Sequence, residues 1–448
     1  MRSNGIISRL RKPCLATVPW VLGLIVLLGF QPVAQALPSY ARQTGQQCAA
    51  CHNGFPELTP YGRLFKLNGY TFGGGQSDSI PFAVMTYASL THTQADQPGG
   101  ASQWFGPNNN IAIDQTAVFY GGAIAPNLGA FAQITFDGVA RRLAWDNTDI
   151  RYARTTQVFG AETVVGVSLN NNPTVQDVWN TTPAWSFPFV ASALAPTPAA
   201  ATLIEGGLAQ QVAGLTTYVY WNRLIYFEFG GYASLSPSWQ STLGVNSVSN
   251  NSLNGVSPYW RVALQQDWGR NSFEAGVFGL AASLSPQRVT GFGADHMTDI
   301  GIDSQYQFLA DRDSISAQVS AIFENQNLSA SGNPAVGFAA NTHNLLRSYH
   351  AKASYYFEQT YGLTLGAFRV QGSPDALIYS SSPTGSPNST GLIGELDFIA
   401  FNHGGPDFWP ELNLKLGAQY TYYPEFDGMT GSAATDNNTL FLFAWLAF

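Results

Sequence analysis

From residue 80 to the carboxy terminus, apolar and polar side chains alternate almost one for one. Within 314–324, Ile315, Ala317, Val319, Ala321 and Phe323 fall on one side; Ser314, Ser316, Gln318, Ser320 and Glu324 fall on the other, with Ile322 as the exception. Within 348–358, Tyr349, Ala351, Ala353, Tyr355 and Phe357 oppose Ser348, His350, Lys352, Ser354 and Glu358. The stretch 412–423 repeats the pattern, with Leu412, Leu414, Leu416, Ala418, Tyr420 and Tyr422 set against Asn413, Lys415, Gln419 and Thr421. A period of two sustained over such lengths predicts β-strands with one apolar and one polar face. The final stretch, 439–448, alternates in the same way and stops on Phe448.

The connections between these stretches separate a soluble sandwich from a membrane barrel. Short turns are predicted at Pro126-Asn127-Leu128-Gly129, Trp221-Asn222-Arg223, Asp267-Trp268-Gly269-Arg270, Asp311-Arg312-Asp313 and Gln359-Thr360-Tyr361-Gly362. Between them come long polar connections at 95–109, 172–210, 236–255, 326–344 and 372–390. Short turns at one end and long loops at the other are the asymmetry of outer-membrane barrels, and the strand tally from 80 to 448 is about sixteen. Charged residues make up only 11% and aromatics 13% of a chain whose mean hydropathy is near zero. Apolar and polar faces of alternating strands cancel to give that average. The expected fold is therefore all-β: an antiparallel transmembrane barrel over 80–448, wet inside and lipid-facing outside.

The amino-terminal end reads as an export signal over 1–36. Arg2, Arg9, Arg11 and Lys12 precede an apolar run at 18–30, and Ala34-Gln35-Ala36 offers a small-x-small cleavage site. Its removal takes away those four cations and no acid, so the formal charge moves from −8 to −12. An acidic chain of this kind points away from nucleic acid and towards cationic partners.

Between signal and barrel lies Cys48-Ala49-Ala50-Cys51-His52. Two thiols and an imidazole at this spacing can attach one haem c covalently and supply one iron ligand. A redox or zinc Cys-x-x-Cys is the alternative; Cys14, the only other cysteine, lies in the signal, so no second pair completes a zinc site. The expectation is a small helical monohaem cytochrome c segment over 37–79, too short for a core of its own and folded into the pore as a plug. Thr59-Pro60 predicts a helix start and Gly69 its stop. Leu64, Phe65 and Leu67 would face the haem, Arg63 and Lys66 would meet its propionates, and Gly73-Gly74-Gly75 would act as a joint. No methionine or second histidine occurs within 37–79. The sixth iron position therefore points to the barrel, with Met85 the first candidate and His350 the second. His92, His343, His403 and the loop pair His296-Met297 read as solvated side chains.

The run Pro38-Ser39-Tyr40-Ala41-Arg42-Gln43-Thr44-Gly45, the haem motif, Phe55-Pro56-Glu57-Leu58-Thr59-Pro60-Tyr61-Gly62-Arg63 and Phe65-Lys66-Leu67-Asn68-Gly69-Tyr70 together resemble the start of the outer-membrane fused monohaem cytochrome-porins. The resemblance implies electron transfer across the outer membrane, from extracellular Fe(II) or another donor to a periplasmic c-type cytochrome or other acceptor. Asp177, Glu205, Asp295, Asp375 and Asp427 are the acids that would steer Fe(II), and the connection at 172–210 would either narrow the pore or cover its mouth. The competing expectation is a diffusion porin for small solutes that carries the cytochrome segment only as a plug or sensor.

Overall fold

A computed structural model describes residues 37–72, 80–245 and 250–448; the signal at 1–36 and the glycine run at 73–75 lie outside the described residues. Sixteen long strands follow one another among the described residues: β1 (Phe82–Thr93), β2 (Asn110–Ala125), β3 (Leu128–Asp137), β4 (Arg142–Val158), β5 (Ala161–Asn170), β6 (Val212–Trp221), β7 (Ile225–Ser234), β8 (Ser257–Trp268), β9 (Asn271–Ser285), β10 (Asp295–Leu309), β11 (Asp313–Asn327), β12 (His343–Phe357), β13 (Tyr361–Gly372), β14 (Ser389–Ile399), β15 (Asn413–Phe426) and β16 (Thr439–Ala447). Each pairs antiparallel with the next. The ring closes where β1 meets β16, Met85 opposite Ala447 and Thr93 opposite Thr439.

The alternation sorts as its period requires. Ile315, Val319 and Phe323 on β11 are exposed on the outer wall, while Ser314, Ser316, Gln318 and Glu324 are buried inside. Ile322, the break in the polar series, turns inward and is 1% exposed in an interior apolar cluster with Phe278 and Tyr259. An apolar outer wall around a polar interior is the signature of a barrel whose solvent outside is lipid. His296 and Met297 begin strand β10 and do not form a loop; Met297 packs against that same interior cluster.

The two ends differ as expected. Two or three residues join most strand pairs at one end, whereas the connection between β5 and β6 at the other runs from 171 to 211. At the short-turn end, Asn222 and Arg223 both take φ of 53°, the left-handed pair that suits a tight hairpin. Glu358 and Gln359 do the same with φ of 50° and 51°, unusual for such residues. Gln359 is held there from inside: its side-chain amide donates to Asn53 Oδ1 and accepts from the Gly54 N–H.

That clasp belongs to the amino-terminal segment, which forms three short helices, α1 (Pro38–Thr44), α2 (Cys48–Cys51) and α3 (Pro60–Leu67). Thr59 caps α3 by accepting from the Gly62 N–H, with Pro60 at the first helical position. Gly69, φ 68°, ends it, and the Tyr70 N–H reaches back to the Phe65 carbonyl. Tyr40 stacks on Tyr70 and meets Phe65 edge-on, which ties α1 to α3. This core is small, and the segment completes it against inward-facing side chains of the wall, as Tyr70 donating to Asp149 on β4 illustrates.

Candidate functional site

Cys48 and Cys51 open and close the single turn of α2, and the His52 N–H caps it on the Cys48 carbonyl. The chain then folds back: the Thr59 N–H donates to the Cys51 carbonyl and the Asn53 N–H to the Glu57 carbonyl. Gly62 lets α3 lie against this turn, since a Cβ there would stand 2.3 Å from the Cys51 carbonyl oxygen. The fold-back brings the Pro56 carbonyl to 2.9 Å from His52 Nδ1. A proton on Nδ1 leaves Nε2 with its lone pair, the arrangement seen in metal-binding histidines. Burial drives the His52 pKa down to about 4, so the imidazole is neutral, and burial pushes the Cys51 thiol up to about 12. A protonated, buried thiol is the opposite of a reactive redox cysteine.

Cys51 and His52 open into a cavity of about 490 Å³ inside the barrel. Tyr40, Phe55 and Phe65 line it from the amino-terminal segment, and Met85, Phe119, Phe131 and Trp445 from the wall. Trp185 adds a wall from the connection between β5 and β6. Phe55 bridges two of these surfaces, edge-on to His52 at 5.0 Å and to Trp445 at 4.9 Å. The aromatic and apolar residues of the lining alternate with polar ones such as Lys66, Gln133, Asp146 and His350, a mixture that ligand and cofactor sites use. Among the described residues no group of three or more His, Cys, Asp or Glu is placed to hold a metal ion.

The residues singled out from sequence divide on this geometry. Met85 lies on the inward face of β1 and lines the cavity. His350 lines it too, but its Nε2 sits 2.9 Å from Glu205 Oε1 and 3.0 Å from Ser348 Oγ. Lys66 lines the cavity and donates to the Val175 and Asp177 carbonyls; burial and then the Arg151 charge bring its pKa down to about 7. Arg63 turns the other way. Its guanidinium reaches Ser272, Gln305 and Gln307 in the wall, which removes it from the cavity lining. Of the three apolar residues expected to face the site, only Phe65 does; Leu64 and Leu67 pack outward on Trp179, Tyr218 and Tyr226.

Of the two expectations for 172–210, the structure follows the first and not the cover, because its Trp179 is fully buried in the lumen, its indole donating to Gln265 at 2.7 Å. The loop narrows the pore and grips the amino-terminal segment, with Asn180 accepting from the Leu58 N–H. The acids expected to steer Fe(II) are structural. Asp177 joins Glu274 and Asp303 around the buried Arg261. Asp295 accepts from the backbone at Ala330 and Ser331, Asp375 from Ala340 and Ile378, and Asp427 from Ala199. Carboxylates so used close loops and are not offered to solvent. Glu205 caps its own turn at Thr202 and meets His350. Pro56 and Glu57 enter the sequence reading only as part of a matched run, since a proline and a lone acid in a turn give no signal of their own role.

No protein-family model and no curated protein sequence matches the chain. Solved structures align with most of its length. They include an anion-selective porin from Comamonas acidovorans, 9% identical over 82% of this chain and 98% of that one with a TM-score of 0.46. The outer membrane channel DcaP of Acinetobacter baumannii is 12% identical over 83% and 99%, TM-score 0.44. Outer-membrane-expressed OmpT of Vibrio cholerae is 10% identical over 83% and 99%, TM-score 0.41.

Proposed function

We propose that the chain is an outer-membrane electron-transfer protein. In this reading Cys48 and Cys51 carry one covalent haem c in the interior cavity, and His52 Nε2 is an iron ligand. The observation that carries it is the cavity into which Cys51 and His52 open together, with His52 already turned by the Pro56 carbonyl into the neutral, ligating tautomer. The chemistry such a group supplies is reversible one-electron exchange. The chain supplies everything around it. Tyr40, Phe65, Phe119, Phe131 and Trp445 would exclude water, Lys66 would meet a propionate, and Met85 is the inward wall residue that would supply a further iron ligand. A Met/His pair raises the reduction potential.

An apolar band of roughly 25 Å bars soluble carriers from crossing the membrane, so a redox centre within the barrel shortens the gap between the two faces. Extracellular Fe(II) is the donor we assign, losing one electron to become Fe(III), and a periplasmic c-type cytochrome is the acceptor. Purified, haem-loaded protein in detergent should be reduced by added Fe(II), while a Cys48→Ala/Cys51→Ala variant should contain no covalent haem. Haem that stays oxidised in excess Fe(II) overturns the assignment of the donor. A diffusion porin, favoured by the closed barrel alone, requires stable open-channel currents with or without haem; the interlocked loop and segment in the lumen support small, plug-limited currents instead.

A further inference from the structure

The outer wall around β12 and β13 carries two arginines that no described residue satisfies. Arg347 and Arg369 point away from the lumen, since Leu346 and Val370 beside them are buried inside. The strands register Arg347 with Gln371 and Tyr349 with Arg369. The two guanidiniums therefore occupy diagonal positions on one face of adjacent strands, within reach of each other for long side chains. Both are exposed, and neither makes a hydrogen bond, ion pair or ring contact among the described residues. Arg151 and Arg261 inside the barrel, by contrast, each hold carboxylates.

A cation on the lipid face of a barrel costs about 2–4 kcal/mol at mid-depth and about 0–1 near the interface. The neighbours fix the depth. Phe323 is registered with Arg347 and stands 6.0 Å from Tyr349, ring to ring, on the outer face. These aromatics share their two rows with the arginines, and aromatic girdles mark the level of the headgroups. Both arginines also lie close to the long-loop ends of their strands, four residues from His343 and three from Gly372.

Below them the wall is hollow. A groove of about 460 Å³ is lined by Arg369, Tyr349 and Thr390 at one end and by Ala321, Ala351 and Ala367 along its length. It shares Val319, Ala351 and Ala367 with a second groove of about 450 Å³ that continues to Ala317 and Ala353. The hollow exists because small residues face one another across three strands, Ala317 opposite Ala353 and Ala351 opposite Ala367. Arg347 lines a further recess of about 340 Å³ with Gln371 and Ser373.

We propose that Arg347 and Arg369 clamp the phosphate of an outer-leaflet lipid whose acyl chain lies in the alanine groove. Two forked guanidiniums match phosphate oxygens, and the apolar slot beneath matches a hydrocarbon tail. The proposal rests on the barrel lying in a membrane with its long loops outside, and it is independent of the haem.

The test uses the full-length protein in detergent with bisphosphorylated lipid A as probe, bound lipid being read by native mass spectrometry. Wild type should retain the lipid, and Arg347→Ala/Arg369→Ala should weaken retention by at least about tenfold, as loss of charge-assisted bonds requires. Arg347→Gln/Arg369→Gln, which keeps the bulk, should behave alike, and both should keep the heat-resistant migration of a folded barrel. Arg154→Ala, which removes an exposed arginine from β4, should bind as wild type does. Lipid A stripped of phosphate should bind wild type only as weakly as the double variants. Equal retention by wild type and the glutamine variant overturns the proposal, as does displacement by inorganic phosphate at equal concentration.

Discussion

Lys352 on β12 donates its ammonium hydrogen to the carboxylate of Glu57, 295 residues away, and both side chains are buried. Glu57 also accepts from Ser316 and Gln307. This buried knot joins the amino-terminal segment to the barrel and is one of the contacts that hold the segment in place.

Breaking the knot on one side should release the segment. Lys352→Met leaves a buried, uncompensated carboxylate, a change that costs about 3–5 kcal/mol. Limited proteolysis of the folded protein should then cut within 37–72 while the barrel stays intact; an uncut variant would show that the aromatic contacts alone retain the segment.

Acid should loosen the same contact. Burial pushes the Glu57 carboxyl up, but Lys352, Ser316 and Gln307 outweigh it and hold the group below its ordinary value. A carboxylate with a depressed folded pKa adds stability that is complete above its unfolded pKa of about 4.3 and is lost as pH falls through the lower folded value. Protease sensitivity of 37–72 should rise below about pH 4, and Glu57→Gln should flatten that dependence.

The loop at 172–210 should govern conductance. Trp179→Ala removes a fully buried indole that lies edge-on to Tyr226 and under the Arg261 guanidinium, a truncation costing about 3–5 kcal/mol. Single-channel currents in planar bilayers should increase and become noisier. Currents equal to wild type would mean that the amino-terminal segment blocks the lumen unaided.

Met85 should set the potential of a haem held as proposed. Met85→Ala should lower the reduction potential of haem-loaded protein measured by redox titration, because the proposed arrangement would lose its potential-raising thioether ligand. An unchanged potential would leave Met85 as packing between segment and wall, beside Leu37 and Phe119, and would return attention to His350.

The barrel was legible because its signal repeats. Ile315 to Phe323 and Tyr349 to Phe357 declare their faces by parity alone, and Asn222-Arg223 or Pro126-Asn127 mark where the chain must reverse. The motif at 48–52 stands out in the sequence because the chemistry it suggests is local. What could not be read was which distant polar groups would meet. Arg63 looks as suited to a propionate as Lys66 does, and only the closed wall shows that Gln305 and Gln307 claim it. Asp177 reads as a loop acid until Arg261, far along the chain, comes to lie beneath it. Alternation states that a residue faces inward; it carries no information about what stands opposite across the lumen.

The seam between β1 and β16, Met85 against Ala447, has a bearing on biogenesis. The segment that bears the thiols precedes β1 and ends up enclosed by strands translated after it. A group fastened to these cysteines would be enclosed once the first and last strands pair, so attachment before insertion is the expected order. A chain that closes bare would have sealed its own attachment point behind Phe55, Trp445 and the inward loop.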